Sequence, residues 1–498
     1  MKPSTGCPVS FSAPLGLLAL ALAPLGALAG EPAVEQQLKA LLERLQVLEQ
    51  RNQELERKVQ ALSAPPAAAP GAAAAPGAAA EPGWGAAREE RLQAVEAQQR
   101  HLTLQVQGLA QTPPQVEQDG PSVEGSVVSV WQRVDHRGGA DGRSNGRLNY
   151  RGDVLVTLPA GDFRDWRAAR GTAVAQLRFG QGGGVALRPT HTGTVNSTTF
   201  EASAGSDETY AVVAQAYYQL DIPLDEGRFN DLPGTRVELN IGKMDLFGLF
   251  DQNAVAGDEA GQFLNNVFVH NPLLDSGGDI GADAFGFAPG VRAAYFNEGE
   301  EWGWGVSLGA FGAGEGARYN GSQGRPLVIA QLELSPRQIN GEPRGSYRLY
   351  AWTNGRTTDL EGFEERHSGF GLSVDQRLGR EWNLFGRYGQ RTSGSGPFDR
   401  ALTFGVEHGG RLWGRGHDAV GLAVGLLDTS SEYRRYTADG SAAGYAASGR
   451  ERLLELYYRF KLNDRLELAP DFQLIQRAGG DAGAPSARVF GLRGTLGF

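Results

Sequence analysis

The sequence predicts an all-β transmembrane barrel: a 16-stranded antiparallel outer-membrane β-barrel preceded by a short periplasmic α-helical coiled coil. Three observations lead there. From about residue 125 to the end, apolar and polar residues alternate with a period of two, as in Val237, Leu239 and Ile241 against Arg236, Glu238 and Asn240. The alternation divides into sixteen segments, an even number, most of them roughly nine to twelve residues long, enough for a tilted strand to cross a bilayer. The connections also sort by length. Long polar loops such as 135–146, 181–208, 429–449 and 477–486 follow odd-numbered segments, and mostly short turns such as 379–381 and 463–465 follow even-numbered ones. A soluble β-sandwich has no reason to sort its loops this way, whereas an outer-membrane barrel does.

Composition removes the competing classes. The chain has 498 residues, 71 of them Gly, and only 41% are hydrophobic, so a large dry core is not expected. The one long apolar run lies at the N-terminus, which excludes a bundle of membrane helices, each needing about 20 apolar residues. A net charge of −10 argues against nucleic acid as a partner. Cys7 is the single cysteine, so neither a disulfide framework nor a Cys-based metal site is available.

The segments ahead of the barrel read in order. Residues 1–29 are expected to be a cleaved signal peptide, with Lys2, an apolar stretch from Leu15 to Leu25, and Ala27-Leu28-Ala29 as the cleavage site. Residues 30–63 form a coiled-coil helix, with Leu38, Leu45, Asn52 and Val59 at the a positions and Leu41, Leu48, Leu55 and Leu62 at d. The alternative is a lone amphipathic helix packed on the protein's own surface. Residues 64–87 are an Ala/Pro/Gly-rich linker, a semi-extended spacer that buries nothing. Residues 88–111 hold a second short amphipathic helix through Leu92, Val95, Leu102, Val106 and Leu109. Homo-oligomerisation is expected. An Asn at a favours two strands while exported barrels are often trimers, so the order stays open.

The barrel itself is assigned to residues 125–498, with strands starting near 126, 147, 172, 209, 235, 290, 304, 326, 345, 368, 382, 400, 418, 451, 466 and 487. Trp131, Trp166, Tyr218, Trp302, Trp304, Trp382, Tyr388, Trp413 and Tyr458 fall near strand ends, where the aromatic girdles that meet the lipid bilayer belong. The last strand is amphipathic and ends on Phe498, a feature similar to the recognition signal of inserted outer-membrane proteins.

Sixteen strands enclose an aqueous lumen. Its candidate lining residues are Arg151, Asp153, Gln176, Arg178, Gln215, Arg236, Glu238, Asn240, Arg348, Trp352, Arg387, Arg391, Glu407, Glu455, Tyr457, Arg459, Asp471, Gln473 and Arg493. Arg and carboxylate groups can hydrogen-bond sugar hydroxyls and aromatic faces can cover C–H surfaces. Charged rings that tune ion flow are the plainer reading.

One connection, residues 243–289, is long and carries Phe247, Phe250, Phe263, Leu264, Phe268 and Leu273 for packing, so it is expected to fold into the lumen as a constriction loop. Its polar candidates are Lys243, Asp245, Asp251, Asn253, Asp258, Glu259, Gln262, Asn265 and Asn271. No cofactor is expected. Ca²⁺ is conceivable at the acidic group Asp245, Asp251, Asp258, Glu259, Asp275, Asp279 and Asp283, but EF-hand spacing is lacking, and loop solvation or pairing with lumen Arg is the first reading.

The runs Gly242-Lys243-Met244-Asp245, Phe250-Asp251-Gln252-Asn253, Asp258-Glu259, Gln262-Phe263-Leu264-Asn265 and Phe268-Val269-His270-Asn271-Pro272-Leu273 follow one another closely. Together with Glu455-Leu456-Tyr457-Tyr458-Arg459 and Pro470-Asp471-Phe472-Gln473-Leu474-Ile475, they resemble the OprB-type carbohydrate-selective porin family over residues 145–498. The resemblance implies a passive outer-membrane channel, with monosaccharides such as glucose the usual cargo. The helical arm departs from the simplest members. A general channel for ions and small hydrophilic solutes is the alternative, as is a structural barrel contacting the cell wall through that arm. An enzyme is not expected: the seven His are scattered, and none sits in a nucleophile or metal motif.

Overall fold

The computed structural model describes residues 120–498, apart from 164–165, 167, 201–208, 226–227, 230–231, 276–285, 300, 314–323 and 337–343. The signal peptide, coiled-coil helix, linker and second helix expected over 1–111 lie outside the described residues.

Sixteen strands make the barrel: β1 (Ser122–Val134), β2 (Asn145–Phe163), β3 (Ala169–Gln181), β4 (Tyr210–Pro223), β5 (Thr235–Asp245), β6 (Phe287–Glu298), β7 (Trp302–Phe311), β8 (Leu327–Pro336), β9 (Gly345–Thr358), β10 (Glu364–Leu378), β11 (Trp382–Ser393), β12 (Phe398–Gly409), β13 (Ala419–Thr429), β14 (Arg450–Lys461), β15 (Leu466–Gln476) and β16 (Ala487–Gly497). Every strand starts within about four residues of its expected position, because the period of two is strong enough to place it. Each pairs antiparallel with its neighbour in the chain, and β16 returns to β1 from Ser126↔Gly497 to Val134↔Val489, closing the sheet. The closure extends to the last residue: Phe498 N–H donates to Gly125 O and Gly125 N–H to Phe498 O, both at 2.9 Å. Among the described residues no barrel strand is left with an unpaired edge, which is what a β structure in hydrocarbon requires.

Side chains are sorted inside out relative to a soluble protein. Leu239, Ile241, Leu308, Leu332, Leu349, Phe404 and Leu492 face outward and are exposed, while Arg236, Asn240, Gln331, Arg387 and Arg493 on the same or neighbouring strands are buried. Trp131, Trp166, Trp302, Trp304, Trp382 and Trp413 are exposed, as girdle residues should be. No described helix is long and apolar enough to cross a membrane. Loop lengths sort mostly as expected, with departures on both rims: 359–363 and 394–397 are short turns on the long-loop rim, and 224–234 on the opposite rim is longer than 477–486.

The interior departs from the expectation of no dry core. An apolar cluster of Leu246, Phe247, Leu249, Phe250, Phe263, Val267, Phe268, Leu273 and Leu274 fills part of the barrel against Phe311, Phe385, Tyr457 and Ile475. Low overall hydrophobicity concealed this because a single inserted segment supplies most of it.

Candidate functional site: the inserted segment and its walls

The connection between β5 and β6 turns into the barrel, and its described part is 246–275 with Gly286. The boundary 243–289 is corrected at both ends, since Lys243 and Asp245 belong to β5 and Phe287–Pro289 to β6. Within it, α1 (Asn266–Val269) is capped by Asn265, whose side chain accepts from Val267 N–H, and α2 (Pro272–Asp275) follows Asn271. Asn271 in turn accepts from Leu273 N–H at 3.1 Å. Asx capping of this kind meets backbone donors that one-turn helices leave open.

The long wall of the barrel grips this segment through charged groups and amides. Arg387 donates to Ala256 O and Phe268 O, each at 2.6 Å, and to Asp251 O at 3.1 Å. Tyr350 OH donates to Asp251 Oδ1 at 2.7 Å, while Asn271 N–H donates to Oδ2 at 2.7 Å. Arg348 reaches Gln252 O at 2.7 Å and is balanced by Glu333 and Asp375. Asn253 donates to Ser373 Oγ at 3.2 Å. Glu455 accepts from Leu264 N–H and from Asn265 N–H (3.0 Å for the latter), and Asn265 donates to Gln473 at 3.0 Å. Arg459 donates to Gly261 O and pairs with Glu407, which also accepts from Tyr457 OH at 2.6 Å. Arg493 donates to Glu259 O and Gln262 O. Asp471 accepts from Gln473 at 2.9 Å, and Trp352 is buried beside Tyr350.

Strands β2–β7 present a different surface. Asp153 accepts from Gln176 at 2.7 Å and pairs with Arg178 at 2.6 Å, and Gln215 links Gln176 to Asp245 N–H. Arg236 pairs with Glu298 at 3.1 Å, and Arg292 bonds Glu238, Asn240 and Ser307. Asp153, Arg178, Gln215 and Asp245 are half-buried, while Arg151, Gln176, Arg236, Glu238, Asn240 and Arg292 on the same strands are buried. Arg151 joins the two surfaces by pairing with Glu259 at 2.7 Å and with Asp153 at 3.1 Å. The Arg151 guanidinium outweighs the upward push of burial and holds the Glu259 carboxyl below the usual range. Burial, with the Glu259 charge beside it, pushes Asp258 up to about 6. His270 stacks on Phe247 at 3.8 Å between ring centres.

Two candidates lie elsewhere. Arg391 donates to Ser395 O and Phe398 O and fastens the 394–397 turn, and Lys243 donates to Val213 O on β4. Of the carboxylates considered for Ca²⁺, Asp279 and Asp283 lie outside the described residues, Asp251 is engaged with Arg387 and Tyr350, and Glu259 with Arg151. Among the described residues no group of three or more His, Cys, Asp or Glu is arranged to hold a metal.

Sequence reading missed Arg292, although the Val291-Arg292-Ala293 alternation contained it. It also missed a second inserted stretch, 182–200. Val195 O accepts from Gln132 and Gln473, Thr198 O accepts from Asn149, and Ser197 N–H donates to Leu264 O at 2.8 Å, tying the two inserted segments together. Its Gly- and Thr-rich sequence carries no apolar period to announce burial.

A closed sixteen-stranded barrel with a lipid-facing apolar surface and polar interior defines a membrane channel protein. Residues 188–498 match the model of the family described as "Carbohydrate-selective porin, OprB family", and the chain belongs to that family. Family and fold are those of channels and not of enzymes. The chain is similar in fold to OprB of Pseudomonas putida in its high-pH structure, with a TM-score of 0.61 at 16% identity over 76% of this chain and 94% of that one. The outer membrane channel DcaP of Acinetobacter baumannii aligns with a TM-score of 0.46 at 13% identity, over 76% and 97%. No curated protein matches the chain in sequence.

Proposed function

We propose that this porin admits carbohydrates, monosaccharides foremost, and other small hydrophilic solutes by passive diffusion past the β2–β7 wall. The carrying observation is the asymmetry of the interior. Arg348, Arg387, Glu455, Arg459 and Arg493 are consumed in holding 246–275, while Asp153, Arg178, Gln215 and Asp245 keep contact with solvent. Solute meets the latter set, a mixture of donors and acceptors suited to hydroxyl groups. Residues 1–29 are removed on export, and the arm over 30–111 sets oligomer order or contacts the cell wall. No resident cofactor is needed for diffusion.

Single-channel conductance in a planar bilayer, titrated with glucose, a disaccharide and simple salts, tests this. Saturable block of ion current by glucose, weakened by Arg178→Gln, is expected. Steady conductance indifferent to sugar would leave a general diffusion channel. Deleting residues 31–111 should alter oligomer size or envelope attachment and leave permeation intact.

A further inference from the structure

The outer surface carries a charge pattern that permeation does not use. At the long-loop end of β12, β14, β16 and β1, residues whose side chains alternate away from the interior are Arg400, Arg450, Arg452, Arg488 and Arg133. Their outward direction follows from register. Arg452 lies between buried Glu451 and Leu453, Arg488 between buried Ala487 and Val489, and Arg133 between buried Gln132 and Val134. Arg400 and Arg450 both oppose Asp428 on β13 and pair with it, Arg400 at 3.5 Å. Asp399 also lies 3.8 Å from Arg400, so two carboxylates offset two of the five guanidinium groups within the run. Arg133, Arg452 and Arg488 are exposed and make no ion pair among the described residues. Asp135, at the top of β1, is engaged by the backbone N–H groups of Gly138 and Arg488.

The arginines stand on the alternate strands β12, β14 and β16 and on β1 beside β16. Arg452 opposes Gln476, Arg488 opposes Leu474 and Arg133 opposes Phe490. Arg133 and Arg488 are therefore diagonal neighbours on adjacent strands, about 7–8 Å apart, the scale of a phosphorylated headgroup, and Arg452 stands across β15 from Arg488. Immediately toward the bilayer midplane on the same outward face come Trp131, Phe490, Leu474, Leu454 and Leu402, a hydrocarbon-facing surface. At the corresponding outward position β6, β7 and β8 carry the neutral residues Val291, Ala310 and Val328, while β10 carries an exposed Arg366 next to buried His367.

We propose that the outward face of β12–β16 and β1, at the long-loop rim, binds the phosphate groups of an anionic lipid headgroup in the leaflet on that side. Long loops face the exterior in these barrels, so this is the outer leaflet. Guanidinium groups bind phosphate through paired N–H donors, and the apolar residues beneath receive the acyl chains. The patch faces lipid and not the lumen, so the assignment stands whatever solute the channel passes.

The test uses the full-length protein in detergent micelles with bisphosphorylated lipid A as the probe, read by native mass spectrometry or by a fluorescent lipid titration. Wild type should retain the lipid, with affinity falling as salt rises. The triple variant Arg133→Gln, Arg452→Gln, Arg488→Gln should bind about a hundredfold more weakly, at roughly one factor of five per arginine. Its conductance should be unchanged, which shows that it is folded, and the corresponding triple Lys variant should recover part of the binding. Equal affinity for dephosphorylated lipid A, or unaltered binding by the triple Gln variant in its conducting form, would overturn the assignment. Competition by millimolar inorganic phosphate as effective as by lipid would make the site one for soluble anions and overturn the lipid reading.

Discussion

Arg387 Nε lies 3.2 Å from Asp251 Oδ1, with both side chains out of solvent, and the same guanidinium holds three carbonyls of the inserted segment. Asp251 adopts φ = +53°, a left-handed conformation that Asp tolerates better than most side chains, and its second oxygen accepts Asn271 N–H. One residue of the wall and one of the segment thus fix the fold of residues 251–271. The pair is buried, so its value lies in mutual compensation, and leaving either charge alone is what costs most. Arg387→Met is expected to weaken docking of the segment by about 3–5 kcal/mol, seen as larger and noisier single-channel currents and protease access near residue 257. The double variant Arg387→Met with Asp251→Asn should lose less than the sum of the single variants. Strict additivity in that cycle would show that the two do not interact.

The fold was legible in the sequence because a strand declares itself every second residue, and sixteen such declarations leave little freedom. Burial of the β5–β6 connection was legible too, from its phenylalanines. The division of labour among the arginines was not. Arg178 and Arg387 look alike in alternation, yet one faces a half-buried polar wall and the other is sealed under the segment. Only the course of the inserted backbone decides between them, and that course depends on contacts far apart in sequence. The stretch 182–200 was invisible for a related reason: its backbone amides and carbonyls, more than its side chains, do the docking.

Close approach sets a second expectation. A methyl group on Gly389 of β11 would stand 2.3 Å from Asn271 Oδ1 and 2.7 Å from its Nδ2. Asn271 has nowhere to retreat, being fully buried, capping α2 and donating to Tyr350 OH at 2.8 Å. Gly389→Ala should therefore destabilise the segment by about 1–3 kcal/mol. Gly386→Ala on the same strand, where the nearest atom is 3.9 Å away, serves as the control. Thermal unfolding in detergent measures both, and equal behaviour of the two variants would refute the packing argument.

Asp258 gives the interior a dependence on pH. Burial and the neighbouring Glu259 charge raise it to about 6 from an ordinary value near 3.8. A carboxyl whose docked value is raised favours docking below its free value and loses that contribution as pH rises through 6. The inserted segment should accordingly be held more tightly at pH 5 than at pH 7, and ionisation over that interval adds a negative charge inside the barrel. Reversal potentials in a KCl gradient are expected to shift toward cation preference from pH 5 to pH 7. Asp258→Asn should reduce the shift, and a shift of unchanged size in that variant would assign it to other groups.

His191 predicts a dependence of opposite sign for the other inserted stretch. Its ring is buried against Phe398 and Tyr433, Nε2 lies 2.8 Å from Thr429 Oγ1, and burial pushes it down to about 3. The backbone N–H of His191 donates to Glu451, which also accepts from Gly479 N–H, so the ring sits where three long-loop connections converge. Released into water, the imidazole takes up a proton near pH 6.5. The docked form cannot do so until about pH 3, so docking weakens as pH falls below 6.5. Protease accessibility within 182–209 should rise between pH 7 and pH 5, in the same interval where the 246–275 segment tightens. His191→Gln keeps a polar atom near Thr429 and removes the imidazole titration, so its accessibility should rise less on acidification than that of wild type. If wild type and His191→Gln loosen alike on acidification, the histidine is not the group responsible.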